Sequence, residues 1–144
     1  NEYEGINSRT DEIQAAALRV KLPRLDIDNE HRRQIARKYM NGIKNPMIIL
    51  PLWPQDDQEC VWHLFPIRCA ERDSLQKYLS EAGVQTLIHY PIAPHKQEAL
   101  KHSEHGPLPL TQRIHEEELS LPISPIMTED DAEFVINLLN KFVK

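Results

Sequence analysis

Glycine is scarce in this sequence, with 4 among 144 residues, and none of them builds a Gly-rich loop behind a strand-like segment. That excludes the P-loop and the dinucleotide fingerprint, which need clustered glycines so that backbone amides can approach phosphates. Cysteine is scarcer still. Cys60 and Cys69 are the only two, and along an extended strand they stand about 30 Å apart, far beyond the roughly 4.4–6.8 Å Cα separation of a disulfide unless the chain folds back. Their spacing fits neither a metal site nor a redox motif, which leaves two reduced thiols. No apolar run approaches the about 18 residues of a membrane span, and no signal-peptide pattern precedes the first helix. Positive charge is also in deficit: the net charge of -5 argues against general nucleic-acid binding. What is present, 40% hydrophobic and 27% charged residues, is the composition of one cytoplasmic globular domain with a single core.

Periodicity places the elements. Ile13, Ala16, Ala17 and Val20 recur at helical spacing. Ser8 or Thr10 suits the N-cap of this first helix, with Asp11 and Glu12 in its first turn. Pro23 interrupts the run, and a second helix resumes near Asp26 or Asp28, carries Ile35, Tyr39 and Met40 inward and stops at Gly42. Arg32, Arg33, Arg37 and Lys38 on that helix read as a solvated face. Residues 47–50 and 60–69 predict two strands, the second an edge or bulged strand because it contains Pro66. Asp73, with Gln76 in the capping-box position, predicts a helix that buries Leu75, Tyr78, Leu79 and Ala82 and ends at Gly83. Residues 84–89 predict a third strand, 90–110 a long Pro- and His-rich loop, and 111–118 a short helix. Thr128, with Asp131 three residues on, caps a last helix whose stripe is Ala132, Val135, Ile136, Leu139, Phe142 and Val143. The pattern predicts an α/β chain of α+β type, a two-layer small domain over residues 1–144 with a small, mainly antiparallel sheet packed on one side by helices.

Seven histidines raise the question of a metal. His102, His105 and His115, with Glu116, Glu117 and Glu118, lie in and after a Gly/Pro-bounded loop without a His-Glu-x-x-His helix, so no metal site is expected. No Gly-x-Ser-x-Gly elbow supports a nucleophilic serine. His63 reads as a half-buried structural residue of a strand. His89, Tyr90 and His95 are different, because they follow a strand end into an irregular loop, where an imidazole and a phenol can bond phosphate or sugar hydroxyls. Asn7 and Arg9 stand beside the start of the first helix, where anionic groups are readily held.

Several segments occur together in one order: Gly5-Ile6-Asn7-Ser8-Arg9 with Asp11-Glu12-Ile13-Gln14-Ala15-Ala16, Lys21-Leu22-Pro23-Arg24-Leu25-Asp26, and Asn29-Glu30-His31-Arg32-Arg33-Gln34-Ile35-Ala36. Val61-Trp62-His63-Leu64-Phe65, Ile88-His89-Tyr90-Pro91-Ile92-Ala93-Pro94-His95-Lys96-Gln97 and Leu119-Ser120-Leu121-Pro122-Ile123 follow. Through these the chain resembles the DegT/DnrJ/EryC1/StrS group of nucleotide-sugar aminotransferases, pyridoxal-phosphate enzymes of the aspartate aminotransferase fold type.

The resemblance implies a fragment. In the family the lysine that attaches the cofactor, and the acidic residue that pairs with its ring nitrogen, lie upstream of the Gly-x-Asn-Ser-Arg turn. Residues 1–144 would then be the C-terminal small domain, inactive alone, with pyridoxal 5'-phosphate held mainly by an N-terminal domain. The intact cytoplasmic homodimer would move an amino group from glutamate to a nucleoside-diphosphate keto-sugar, with a lean toward a dTDP-3-keto-6-deoxyhexose used in surface polysaccharide (lipopolysaccharide) or antibiotic synthesis. By the same resemblance Asn7 would bond the cofactor phosphate of the neighbouring subunit. Arg9 would organise that edge or meet an anionic substrate group, and His89, Tyr90 and His95 would line the substrate mouth. A free-standing binding module or a dimerisation domain of the same descent is the alternative.

Overall fold

The computed structural model describes residues 11–100, 102 and 106–143. Helix α1 (Glu12–Lys21) is capped by Asp11, whose Oδ1 accepts the Gln14 amide at 2.7 Å. Asp11 is therefore the cap and not a first-turn residue, because its own short carboxylate reaches the free amide; Ser8 and Thr10 lie outside the described residues. The stripe of Ile13, Ala16, Ala17 and Val20 forms, yet α1 buries nothing, and Ile13 is 84% exposed. Pro23 falls in a 3-10 turn (Leu22–Arg24), which separates α1 from α2 (Leu25–Gly42).

Helix α2 buries Ile35, Ala36 and Tyr39, with Met40 partly covered. Its arginines are not all solvated. Arg33 is buried, donating from Nε to the Asp57 carbonyl at 2.9 Å and from its terminal nitrogens to Glu30 at 3.2 Å and Gln58 at 3.3 Å. A guanidinium tolerates burial when its fixed fork of donors is matched in this way. Arg37 pairs with the Asp57 carboxylate and lies over the Trp53 ring, 5.6 Å from its centroid. The Trp53 indole donates to Asp57 Oδ1 at 2.9 Å; that bond first, then Arg37, holds the Asp57 carboxyl below the usual range. Two of the side chains read as a solvated face, Arg33 and Arg37, thus clasp the loop that leads into the sheet.

The sheet has three antiparallel strands in the order β1 (Ile48–Ile49), β2 (Phe65–Cys69), β3 (Glu118–Leu121). Three expectations change. The second strand begins at Phe65 and not at Cys60, because Trp62 turns the chain at φ 50°. That left-handed conformation is costly for a residue with a Cβ, and Trp62 is held in it by stacking on Trp53 (centroids 5.0 Å) and contact with Phe65 (5.4 Å). The strand expected at 84–89 contributes one antiparallel bridge, Leu87 to Ser120, and β3 occupies residues the pattern had assigned partly to a helix. Pro66 lies in the central strand, opposite Ser120. The Ser120 amide and carbonyl face Leu87, at 2.8 and 3.2 Å, so Pro66 and Ser120 are a non-hydrogen-bonded pair. The nitrogen of Pro66 therefore points to the β1 side, where pairing has already ended at Ile49 and Arg68. Locally, Pro66 sits at an edge.

Helix α3 (Arg72–Glu81) starts after Glu71, which makes no side-chain cap; Asp73 lies inside the first turn and pairs with Arg72, so the predicted Asp73/Gln76 box does not form. Gly83, at φ +84°, ends the helix as expected. Helix α4 (Pro109–Glu117) leads directly into β3. Helix α5 (Glu129–Lys141) has the predicted capping box: the Asp131 amide meets Thr128 Oγ1 at 3.1 Å and the Thr128 amide meets Asp131 Oδ2 at 2.9 Å.

One core joins these elements. Ile35, Tyr39, Leu75, Leu79, Val135 and Leu139 from the helices meet Phe65, Ile67, Leu119 and Leu121 from the inner sheet face. The buried Tyr39 hydroxyl donates to the Pro122 carbonyl at 2.8 Å, tying α2 to the end of β3. Cys60 and Cys69 are free thiols, and burial pushes that of Cys69 up. The two-layer α+β arrangement is the one the sequence predicts.

Candidate functional site

Strand β3 alternates. Leu119 and Leu121 enter the core, so Glu118 and Ser120 share the opposite face. Both are buried, at 6% and 4% exposure. The bridge at Leu87 lays the following residues along the free edge of β3, and His89 is thereby brought onto these two side chains. The His89 amide donates to Glu118 Oε2 at 2.8 Å, and His89 Nδ1 lies 2.9 Å from Ser120 Oγ. The Ser120 hydroxyl in turn donates to Glu118 Oε1 at 2.6 Å.

Tyr90 continues outward, its ring exposed and set edge-on to His89 with centroids 5.5 Å apart. Its carbonyl is 2.8 Å from His115 Nδ1, which fixes the loop to α4. Arg72 braces the junction of α4 and β3 through the carbonyls of His115 and Glu118, both at 3.3 Å. Beside it, Arg113 donates to Glu117 at 2.8 Å and Arg68 approaches at 3.1 Å. The Arg113 bond is the main reason that the Glu117 carboxyl lies below its usual range.

A pocket of about 150 Å³ opens at this edge, lined by His63, Leu64, Gln85, Leu87, His89 and Ser120 among others. It is smaller than the roughly 300–1,000 Å³ of ligand pockets. It shares Gln85, Leu87, Pro122 and Ile123 with a depression of about 780 Å³ that reaches Phe134 on α5. Together they give a cleft with imidazoles and a hydroxyl at one end and apolar walls at the other.

Of the residues singled out in the sequence, the structure brings His89 and Tyr90 together. His95 is half-buried in the 3-10 turn Pro94–Lys96 and is not among the residues lining the pocket. Asn7 and Arg9 lie outside the described residues. His63 is neither in a strand nor half-buried; the turn at Trp62 exposes it at the pocket. Glu118 and Ser120 escaped the sequence reading. The alternation Glu118-Leu119-Ser120-Leu121 was the available signal, hidden behind an acidic run that continues the preceding helix.

Cofactor attachment has a physical requirement. A lysine that bonds pyridoxal phosphate must be desolvated, so that its amine loses its proton near neutral pH. Among the described residues Lys21, Lys44, Lys77, Lys96 and Lys141 are exposed, and half-buried Lys38 is paired with Glu129 at 3.3 Å and Glu133 at 3.7 Å. No group of three or more His, Cys, Asp or Glu side chains among the described residues could hold a metal ion, and no helix among them is long and apolar enough to cross a membrane.

The profile of the DegT/DnrJ/EryC1/StrS aminotransferase family matches residues 1–140. The chain is 49% identical over 142 residues to the dTDP-3-amino-3,6-dideoxy-alpha-D-galactopyranose transaminase of Aneurinibacillus thermoaerophilus, which covers 99% of this chain and 39% of that enzyme. Among solved structures it is similar to DesV of S. venezuelae, with a TM-score of 0.85 and 38% identity, over 99% of this chain and 40% of that one. It is also similar to NtdA of Bacillus subtilis, which was solved with bound cofactor PMP (TM-score 0.79, 31% identity, 94% of this chain and 33% of that one). The chain thus spans about two fifths of the length of the curated relatives it matches.

Proposed function

This chain belongs to the DegT/DnrJ/EryC1/StrS aminotransferase family, and we propose that it is the C-terminal small domain of a homodimeric sugar-nucleotide aminotransferase. The intact protein moves an amino group from glutamate to a keto-sugar carried on a nucleoside diphosphate, a dTDP-3-keto-6-deoxyhexose, for surface polysaccharide or antibiotic synthesis. The observation that carries this reading is the match over 99% of the chain to a dTDP-sugar transaminase.

The role given to this domain is binding and orientation, with pyridoxal phosphate held mainly by an N-terminal domain. When bound to the intact enzyme, the cofactor supplies the electron sink for the transfer. His89 offers an imidazole to the cleft, and Tyr90, exposed next to it and outside the cleft lining, offers a phenol; both groups bond sugar hydroxyls and phosphate oxygens. His95 stands further along the same loop, Asn7 bonds the cofactor phosphate of the neighbouring subunit, and Arg9 organises that edge or meets an anionic substrate group; these three assignments rest on the motifs. The bare α1 supports a missing neighbour. Leu18, Leu22, Leu25, Pro125 and Ile126 line a depression of about 840 Å³, and Ile126 is 88% exposed. Apolar surface of that kind marks an interface.

The test is direct. The intact enzyme, given glutamate and dTDP-3-keto-6-deoxyhexose, should yield the dTDP-amino sugar by mass spectrometry, while the 144-residue chain yields none. Intact, cofactor-loaded protein that aminates no nucleotide sugar would remove the proposal and favour a non-catalytic module.

A further inference from the structure

Glu118, Ser120 and His89 form a chain of hydrogen bonds, and with Glu118 as an acceptor-only carboxylate its direction follows from counting protons. Both Glu118 oxygens meet donors, the His89 backbone N–H at 2.8 Å and the Ser120 hydroxyl at 2.6 Å. A hydroxyl has one hydrogen, and that of Ser120 is spent on Glu118. Toward His89 Nδ1, 2.9 Å away, Ser120 Oγ offers only a lone pair. Nδ1 must therefore carry the ring proton, and Nε2 is left bare in the neutral ring. The two partners are held in a strand, buried at 6% and 4% exposure, and Ser120 is clamped further by its bridge to Leu87. They are not free to turn.

We propose that Glu118 and Ser120 are positioning residues that lock His89 in its Nδ1–H tautomer, so that all ligand bonding by this imidazole passes through Nε2. In the neutral ring Nε2 accepts from a hydroxyl; in the protonated ring it donates to a phosphate oxygen, with the inward bond unchanged. The consequence for substrate binding rests on the reading of His89 as a substrate residue given above. The tautomer itself does not.

Nitrogen-15 NMR of histidine-labelled chain at alkaline pH, where imidazoles are neutral, reads the tautomer at each ring. Wild-type His89 should show a protonated Nδ1 and a bare Nε2. Ser120→Ala removes the acceptor and should move the proton to Nε2. Glu118→Gln is a second, independent variant. Its carbonyl must stay on the His89 amide, so its NH2 faces Ser120, which frees the hydroxyl hydrogen to point at Nδ1; the proton should again move to Nε2. The Leu87 and Ser120 amide signals report that the bridge, and hence the fold, persists. A wild-type His89 protonated on Nε2, or a tautomer unmoved in both folded variants, would overturn the inference. In the intact enzyme, Ser120→Ala should also raise KM for the nucleotide sugar about tenfold while leaving the glutamate half-reaction unchanged. A moved tautomer with unchanged KM would support the lock and count against the placement of His89 at the substrate, so the two claims fail separately.

Discussion

Gly42, the last residue of α2, packs so closely on Ile136 of α5 that a Cβ at position 42 would stand 2.8 Å from Ile136 Cδ1 and 3.0 Å from Cγ2. The glycine is there for proximity, since helix α2 runs through it and leaves only at Ile43. Gly42→Ala gains helix propensity of up to about 1 kcal/mol, but Cγ2 is a β-branched stub that cannot swing away. Overpacking, typically about 1–3 kcal/mol, wins. The variant should unfold at lower denaturant than wild type with an unchanged m-value, and Gly42→Ala with Ile136→Val should recover part of the loss.

Acid should weaken the fold through three carboxyls held below their ordinary range: Asp57 by Trp53 and then Arg37, Glu117 by Arg113, and Asp131 by Thr128. A carboxyl depressed in the folded state stabilises it at all pH values above the unfolded pKa, and loses that contribution as pH falls through the folded one. Stability against urea should therefore be level above about pH 5 and decline below about pH 4. Replacing Asp131 with Asn should lower the plateau and flatten the decline; a decline of unaltered steepness contradicts the assignment.

How much of this was legible in the sequence differs by element. Helix α5 could be read nearly whole, because its cap (Thr128, Asp131) and its stripe from Ala132 to Leu139 are both local; Val143, expected on that stripe, lies beyond the helix end and is exposed. Pro66 misled, because the strand that carries it is central in the sheet and not an edge; it is tolerated there because its nitrogen faces a position where β1 has already ended. Strand β3 could not be read, since Glu116-Glu117-Glu118 continues the polarity of α4 and only pairing with residues 65–68 makes an extended segment of 118–121. Arg33 looked solvated because its partners, Asp57 and Gln58, are 24 and 25 residues away. The site divides in the same manner. His89 and Tyr90 were visible as polar residues entering a loop, whereas the partners of His89 are 29 and 31 residues distant and depend on the register at Leu87.

The exposed α1 stripe makes a prediction about the 144-residue chain. With Ile13 at 84% and Val20 at 78% exposure, it should self-associate in sedimentation at high concentration. Replacing Ile13 and Val20 with Glu should return it to monomer without lowering its melting temperature, because neither side chain contributes to the core. A wild-type monomer at all concentrations contradicts the interface reading.

Asn7 and Arg9 can be separated in the intact enzyme. Loss of one hydrogen bond to a charged acceptor costs about 1.5–3 kcal/mol, so Asn7→Ala should weaken cofactor binding by that amount with an unchanged melting temperature. Arg9→Ala should chiefly raise KM for the nucleotide sugar or glutamate. Lower melting temperatures with unaltered cofactor affinity and KM would make both residues structural.

The central claim is that this domain supplies a wall of the nucleotide-sugar site, and His89→Ala in the intact enzyme tests it most directly. A charge-assisted contact is worth roughly 1.5–3 kcal/mol and each 1.4 kcal/mol is about tenfold, so KM for the dTDP-keto-sugar should rise about tenfold or more. The glutamate half-reaction, followed spectroscopically in the same protein, should proceed at the wild-type rate. Equal effects on both half-reactions, or none on the sugar, would contradict the account.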